Sequence, residues 1–307
     1  MKRILLTCLL ALLLGFLLFF PDQALACAGS GLLLWYKNLV PVLLPFMFLS
    51  NLLIRLDCVL LLTGLIHPLL GRLFGTSLYG SYAVLAGFLF GCPMGAKVTG
   101  DLLSQNLICE EEAGYLVSFV NNLSPAFIIS FAVHQNLGIP SLTGPTLCIL
   151  YGAPLLWALL CRIRRRSSFQ EFIPKKKASK VPEKLELIDA CILDGVVNIA
   201  KIGGYILLFS LMAGVLGLLP GNLAPLKNIL GASLEITAGV QAVSQSALSF
   251  PVKYLCLLAL CSFGGICGLM QTLSVCPMNP AGLRQYLKAK AAILGLCLLL
   301  ACLFLFL

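Results

Sequence analysis

The chain has 307 residues, of which 60% are hydrophobic and 11% charged, and its mean hydropathy is +1.00. Soluble domains carry about 25% charged residues, so this composition excludes an ordinary soluble domain and leaves a polytopic, all-α transmembrane protein. The formal net charge of +9 does not point to nucleic acid, because 9 of the 21 Lys and Arg residues fall between Arg162 and Lys184. That clustering reads as a cytoplasmic loop obeying the positive-inside bias.

At ~20 residues per span, the length allows about eight crossings. Met1-Lys2-Arg3 precedes an apolar run from Ile4 to Phe20, then Ala24-Leu25-Ala26. This layout fits either a secretory signal or a retained first span, and the long run followed by more apolar sequence favours retention. The next runs extend from Leu32 to Ile54, with Pro41 and Pro45, and from Val59 to Phe74, with His67-Pro68. Interior prolines remove backbone donors and kink helices.

The run from Tyr82 to Leu103 contains Gly87, Gly91, Pro93, Gly95, Lys97 and Gly100. An interrupted helix at membrane depth is tolerated only where protein or a cavity covers it. Glu110-Glu111-Glu112 reads as the acidic first turn of a helix that carries Asn121, Asn122, Ser124 and Pro125 through its middle. A further run, Leu142 to Cys161, ends at the basic linker. After the linker come an amphipathic stretch to Lys201 and apolar runs Gly203 to Leu219, Ile229 to Ala247, Tyr254 to Val275 and Ala291 to Leu307.

The expected organisation is an N-terminal span or anchor (1–31), a first membrane repeat (32–161), a basic cytoplasmic linker (162–187) and a second membrane repeat (188–307). Phe88 to Lys97 pairs with Phe263 to Gln271 as two glycine-interrupted segments, containing Gly264, Gly265 and Gly268 in the second. Interrupted segments at corresponding places in two halves point to a transporter binding site. Treating Tyr254 to Val275 as a re-entrant hairpin returns Arg284, Lys288 and Lys290 to the cytoplasm, as the charge bias prefers.

Lys97 beside freed backbone amides suits an anion such as a carboxylate; the alternative is a lysine snorkelling to headgroups. Asn121, Asn122 and Ser124 either line a ligand site or bond to neighbouring helices. Glu235, in Leu234-Glu235-Ile236-Thr237, either carries a coupling proton or ion or serves a structural partner. Asp101 lies closer to an interface, and His67 and His134 read as solvated or capping residues. The expected picture is a pseudo-symmetric cavity with Lys97 as its positive charge and Asn121 to Pro125 as its wall. The 14 cysteines form no Cys-x-x-Cys pair and read as small helix-packing residues. No His-Glu-x-x-His, Gly-x-Ser-x-Gly or Walker motif is present, so an enzyme, a cofactor and a metal site are not expected.

Gly91-Cys92-Pro93-Met94-Gly95-Ala96-Lys97, Glu111-Glu112-Ala113 and Leu116 to Ile128 together resemble the YlbJ-type sporulation integral membrane proteins. That family carries the nucleoside-recognition, or gate, domain, related to concentrative nucleoside transporters. Leu234 to Gly239 and Ser262 to Gly265 look like its second gate repeat. The sequence departs from the family pattern at Cys92 and at Asn121-Asn122-Leu123. The resemblance implies a multi-pass transporter in the outer forespore membrane of an endospore former, moving dipicolinic acid toward the spore. The residues expected at the substrate site are Gly91, Cys92, Pro93, Gly95, Lys97, Asn121, Asn122, Ser124, Pro125, Glu235, Thr237, Gly264, Gly265, Gly268 and Gln271. Expected partners are the lipid bilayer, a small anion and a coupling proton or sodium ion, with no nucleic acid; the oligomeric state stays open. The alternatives are a nucleoside or ion permease and a non-transporting scaffold for spore assembly.

Overall fold

In a computed structural model, residues 2–165, 169, 184–219 and 230–306 are described, and they are helical apart from turns and short breaks. Most of the basic linker expected at 162–187 lies outside the described residues; Arg162 to Arg165 continue the helix Thr143–Arg165, and Lys184 opens the next. Among the described residues, four helices are long and apolar enough to cross a membrane: Pro140–Arg164, Leu185–Gly217, Phe250–Val275 and Pro280–Phe306. Two bent pairs raise the number to six, Thr7–Phe19 with Pro21–Lys37 at 109° and His67–Phe74 with Leu78–Phe90 at 95°. This is fewer than the length allows. The run Val59 to Phe74 is split into the short helices Val59–Thr63 and His67–Phe74, and two other runs fold back on themselves.

The first of these is the glycine-rich stretch. Helix Leu78–Phe90 ends at Gly91, whose φ of +78° favours glycine, and Met94–Ser104 begins after a cis Cys92–Pro93 bond. A β-carbon added to either Gly87 or Gly95 would overlap the same atom, the carbonyl oxygen of Val120. Residues eight apart in a continuous helix lie about 12 Å apart along its axis. The chain therefore doubles back at Gly91, and the hairpin straddles Val120.

The second hairpin is not the one expected. Phe250–Phe263 and Gly265–Val275 follow one another with only a local break at Gly264 and together count as one span. The reversal lies earlier, in the run Ile229 to Ala247. Residues 230–234 are helical, Glu235 is extended, and Ile236–Gln245 is helical again. A β-carbon on Gly239 would stand 2.8 Å from the Cα of Ala232, seven residues earlier, where a straight helix puts about 10 Å.

The two halves thus repeat one order: hairpin, broken span, long helix. In the first, the hairpin 78–104 precedes Glu110–Val120 and the π-helix Phe127–Leu137, interrupted at 121–124, then Thr143–Arg165. In the second, the hairpin 230–245 precedes Phe250–Val275, broken at Gly264, then Pro280–Phe306. By position, the Gly91 tip corresponds to Glu235 and the Asn121 break to Gly264, so the expected pairing of Phe88 to Lys97 with Phe263 to Gln271 is shifted by one element.

Each tip docks on the break that follows it. The Cys92 N–H donates to the Asn122 carbonyl, and Gly91 packs directly on the Ser124 backbone. In the second unit a β-carbon on Gly265 would meet the carbonyls of Ser233 and Leu234 at 3.4 Å. The base of the first hairpin is fixed by buried Glu112, whose Oε1 accepts the Ser77 N–H at 2.7 Å, while Ser77 caps the helix by accepting from Gly80 at 3.0 Å. Large apolar residues such as Leu61, Leu65 and Phe306 stay exposed, as expected of a lipid-facing surface.

Gly95→Ala is expected to force the hairpin off Val120 and lower stability by about 1–3 kcal/mol, the usual cost of overpacking. Gly114→Ala, with no atom within 4 Å of its added methyl, is expected to be neutral or stabilising by up to ~1 kcal/mol. Thermal unfolding of the two purified variants in one detergent separates these outcomes.

Candidate functional site

Between the two tips and the two breaks lies a cavity of about 310 Å³. Its wall is Cys92 from the first tip, Asn121 to Ser124 from the first break, Glu235 and Thr237 from the second tip, and Gly264, Cys267, Gly268 and Gln271 from the second broken span. Phe90, Phe127, Phe131, Phe263 and Tyr286 add aromatic surface, and Lys290 supplies a cation. A few polar groups set in an apolar, aromatic wall are usual for a small-molecule site.

Lys290 is 5% exposed. Its ammonium donates to the Asn121 carbonyl oxygen at 2.7 Å and lies 5.9 Å from the centre of the Tyr286 ring. Of its three N–H donors only this one is used, and no carboxylate is paired with it among the described residues. A charge so buried is costly unless a counter-charge or a ligand meets it. The helix Pro280–Phe306 turns it inward because Tyr286, Ala289, Lys290, Ile293, Cys297 and Ala301 fall on one buried face at helical spacing.

Asn121 is held on two sides. Its Nδ2 donates to Thr272 Oγ1 at 2.6 Å and to the Tyr286 hydroxyl at 3.0 Å, and Thr272 in turn donates to the Gly268 carbonyl at 2.7 Å. Its Oδ1 is buried with no partner among the described residues. One break of the first unit is therefore tied to the broken span of the second.

Helix starts complete the site. Glu235 caps Ile236–Gln245: Oε1 accepts the Thr237 N–H at 3.0 Å, and Oε2 accepts the Ala238 N–H at 2.9 Å and the Thr237 hydroxyl. Ser124 Oγ accepts the Phe127 N–H at 3.3 Å. Gly265–Val275 starts after Gly264, at φ +85°, with no side-chain cap. Its uncapped amide end adds partial positive charge to the wall.

Of the residues expected at a site, Cys92, Asn121, Asn122, Ser124, Glu235, Thr237, Gly264, Gly268 and Gln271 line this cavity. Gly91, Pro93, Gly95, Pro125 and Gly265 are not in its wall; Gly91, Gly95 and Gly265 are where backbones dock. Lys97 lies elsewhere, with Nζ 2.6 Å from both Asp101 oxygens and 2.9 Å from Asp194 Oδ2. The cavity's positive charge is Lys290, because the Lys97 ammonium is already engaged by two carboxylates.

Comparison with curated proteins finds the sporulation integral membrane protein YlbJ of Bacillus subtilis (strain 168). It is 26% identical over 291 aligned residues, covering 80% of this chain and 68% of that protein. This chain is a distant homologue of YlbJ. No protein-family profile matches the chain, and no solved structure does. The name YlbJ specifies a membrane and a developmental process and no ligand, so what the cavity binds has to be read from its chemistry.

Asn121→Ala removes both donated hydrogen bonds and is expected to destabilise the protein by roughly 1–3 kcal/mol. The expected readout is a lower melting temperature together with increased reactivity of Cys92 toward a membrane-permeant maleimide, since the Cys92 tip docks on the neighbouring Asn122 carbonyl.

Proposed function

We propose that the protein is a YlbJ-like sporulation membrane transporter that carries a small anionic dicarboxylate, dipicolinic acid, across the outer forespore membrane. The observation that carries this reading is the buried ammonium of Lys290, which meets no carboxylate among the described residues, inside an aromatic-lined cavity. A single-ring dicarboxylate suits such a space: one carboxylate meets Lys290 and the uncapped start of Gly265–Val275, and the ring lies among Phe90, Phe127 and Phe263. The homology to a sporulation protein supports the cellular setting.

The second tip stands where a gate would act. A further cavity of about 680 Å³, lined by polar Gln23, Ser30, Ser210 and Gln241, shares Glu235 and Thr237 with the central one, along with Leu34, Phe131 and Ile206. Swinging the 230–245 hairpin would join the two volumes or part them, giving alternating exposure around a fixed site.

Uptake of labelled dipicolinate into proteoliposomes tests the reading. Lys290→Met is expected to lower apparent affinity by tenfold or more, since a hydrogen bond to a charged group is worth about 1.5–3 kcal/mol. Unchanged uptake by this variant would sink the assignment. Competition by nucleosides but not by dicarboxylates would favour a nucleoside permease instead, and no flux by correctly folded wild-type protein would favour a scaffold.

A further inference from the structure

A second polar cluster lies apart from the central cavity and shares none of its lining residues. Lys97 and Asp101 sit one turn apart on the returning arm of the first hairpin, and Asp194 comes from the helix Lys184–Gly217 in the other half. The Lys97 ammonium is clamped between them, with a side chain only 4% exposed, while Asp101 and Asp194 are 19% and 35% exposed. Asn51 Nδ2 donates to the same Asp194 oxygen that accepts from Lys97. The other oxygen, Asp194 Oδ1, has no hydrogen-bond partner among the described residues. A pocket of about 320 Å³ opens beside the cluster, lined by Lys97, Asp101, Ser104, Asp194 and Asn198.

Two carboxylates around one ammonium leave the triad itself one negative charge in excess, and Arg55 adds a positive charge beside it. The other titratable groups facing the cluster are Arg55 from Val40–Arg55, Tyr82 from Leu78–Phe90, Cys191 from the Asp194 helix and Cys276 after Gly265–Val275. A metal ion is a poor candidate for a ligand here, because the position between the carboxylates is filled by the Lys97 ammonium. A proton needs only one free carboxylate oxygen and water access, and Asp194 Oδ1 beside the open pocket offers both.

We propose that Asp101 and Asp194, clamped around Lys97, form a proton-binding site that governs how firmly the first hairpin is held to the helix Lys184–Gly217. Binding forms one O–H bond on the carboxylate pair and leaves the triad neutral. The Lys97–Asp194 ion pair then becomes a weaker ion–dipole contact, and the hairpin is released from that helix. Loss of the proton restores the clamp. Because the same hairpin carries Cys92 to the central cavity, the protonation state of the cluster is linked to the site, and a proton becomes the coupling ion. This last link rests on the transport reading; the proton site itself does not.

Infrared difference spectra of the protein in lipid, acidic minus alkaline, test the site without any substrate. The wild type is expected to show a protonated-carboxyl stretch that disappears in Asp194→Asn and in Asp101→Asn and persists in Glu235→Gln. A wild-type spectrum lacking the band, or its persistence in both aspartate variants, overturns the proposal. Should Asp101→Asn fail to fold, the more exposed Asp194 decides the matter alone. For coupling, Asp194→Asn is expected to keep dipicolinate exchange across proteoliposomes while losing accumulation driven by a proton gradient. Accumulation by the variant that still follows the proton gradient, or by the wild type that follows only sodium, overturns the coupling role. Absence of wild-type flux with the infrared band intact would count against the transport reading and leave the proton site standing.

Discussion

A helix broken inside a bilayer exposes N–H and C=O groups that lipid cannot satisfy, and everything else in this fold follows from how those groups are covered. The protein places each break against a hairpin tip. The Asn122 carbonyl takes the Cys92 N–H, the Asn121 carbonyl takes the Lys290 ammonium, the Leu123 carbonyl takes the Tyr151 hydroxyl at 2.9 Å, and the Phe119 carbonyl takes the Asn122 side chain at 2.7 Å. The cavity is what remains where this mutual covering stops. Its polar inventory is therefore mostly capping capacity: the carboxylate of Glu235, spare protons on Lys290 and a helix start at Gly265 without a side-chain cap.

Much of this was legible in the residues, and the failures have physical reasons. Gly87, Gly91, Pro93 and Gly95 announced the interruption of the first glycine-rich run, and the close approach of Gly87 and Gly95 to Val120 makes it a hairpin. Asn121, Asn122 and Ser124 stood out as candidate site residues, but the helix expected to run through them stops at Val120, because the Asn122 amide and the Ser124 hydroxyl satisfy local backbone groups in place of the helical ladder. The second hairpin was hidden because its reversal at Glu235 uses no proline at all; a single carboxylate capping the amides of Thr237 and Ala238 does the work that Gly91 does in the first. Gly264-Gly265 drew attention instead, although those glycines relax a span without reversing it. Lys290 was masked by Arg284 and Lys288, which make its neighbourhood read as a cytoplasmic flank. The signal that separates it is phase: Lys290 falls on the stripe of Tyr286, Ile293 and Cys297, and the other two do not.

Lys97 and Lys290 show why an ionisable residue in an apolar run cannot be assigned from its depth alone. Both are buried. One ammonium is enclosed by Asp101 and Asp194 and joins two halves of the fold; the other meets a single backbone carbonyl and faces open space. What differs is the company each keeps, which is decided by a helix more than 90 residues away in the case of Asp194 and by a backbone break in the case of Asn121. A sequence window around either lysine contains neither fact.

The Glu235 cap has a further consequence. The cavity carries a carboxylate on one tip and an ammonium on the last helix, so its electric field has a fixed direction across a space large enough for only a small guest. A molecule with charge at one end and none at the other would lie with a defined head and tail, its anionic end turned to Lys290 and away from Glu235. On this view the enclosed space discriminates by polarity of arrangement as well as by size, and a half-ester of a dicarboxylic acid would sit in it in one orientation only.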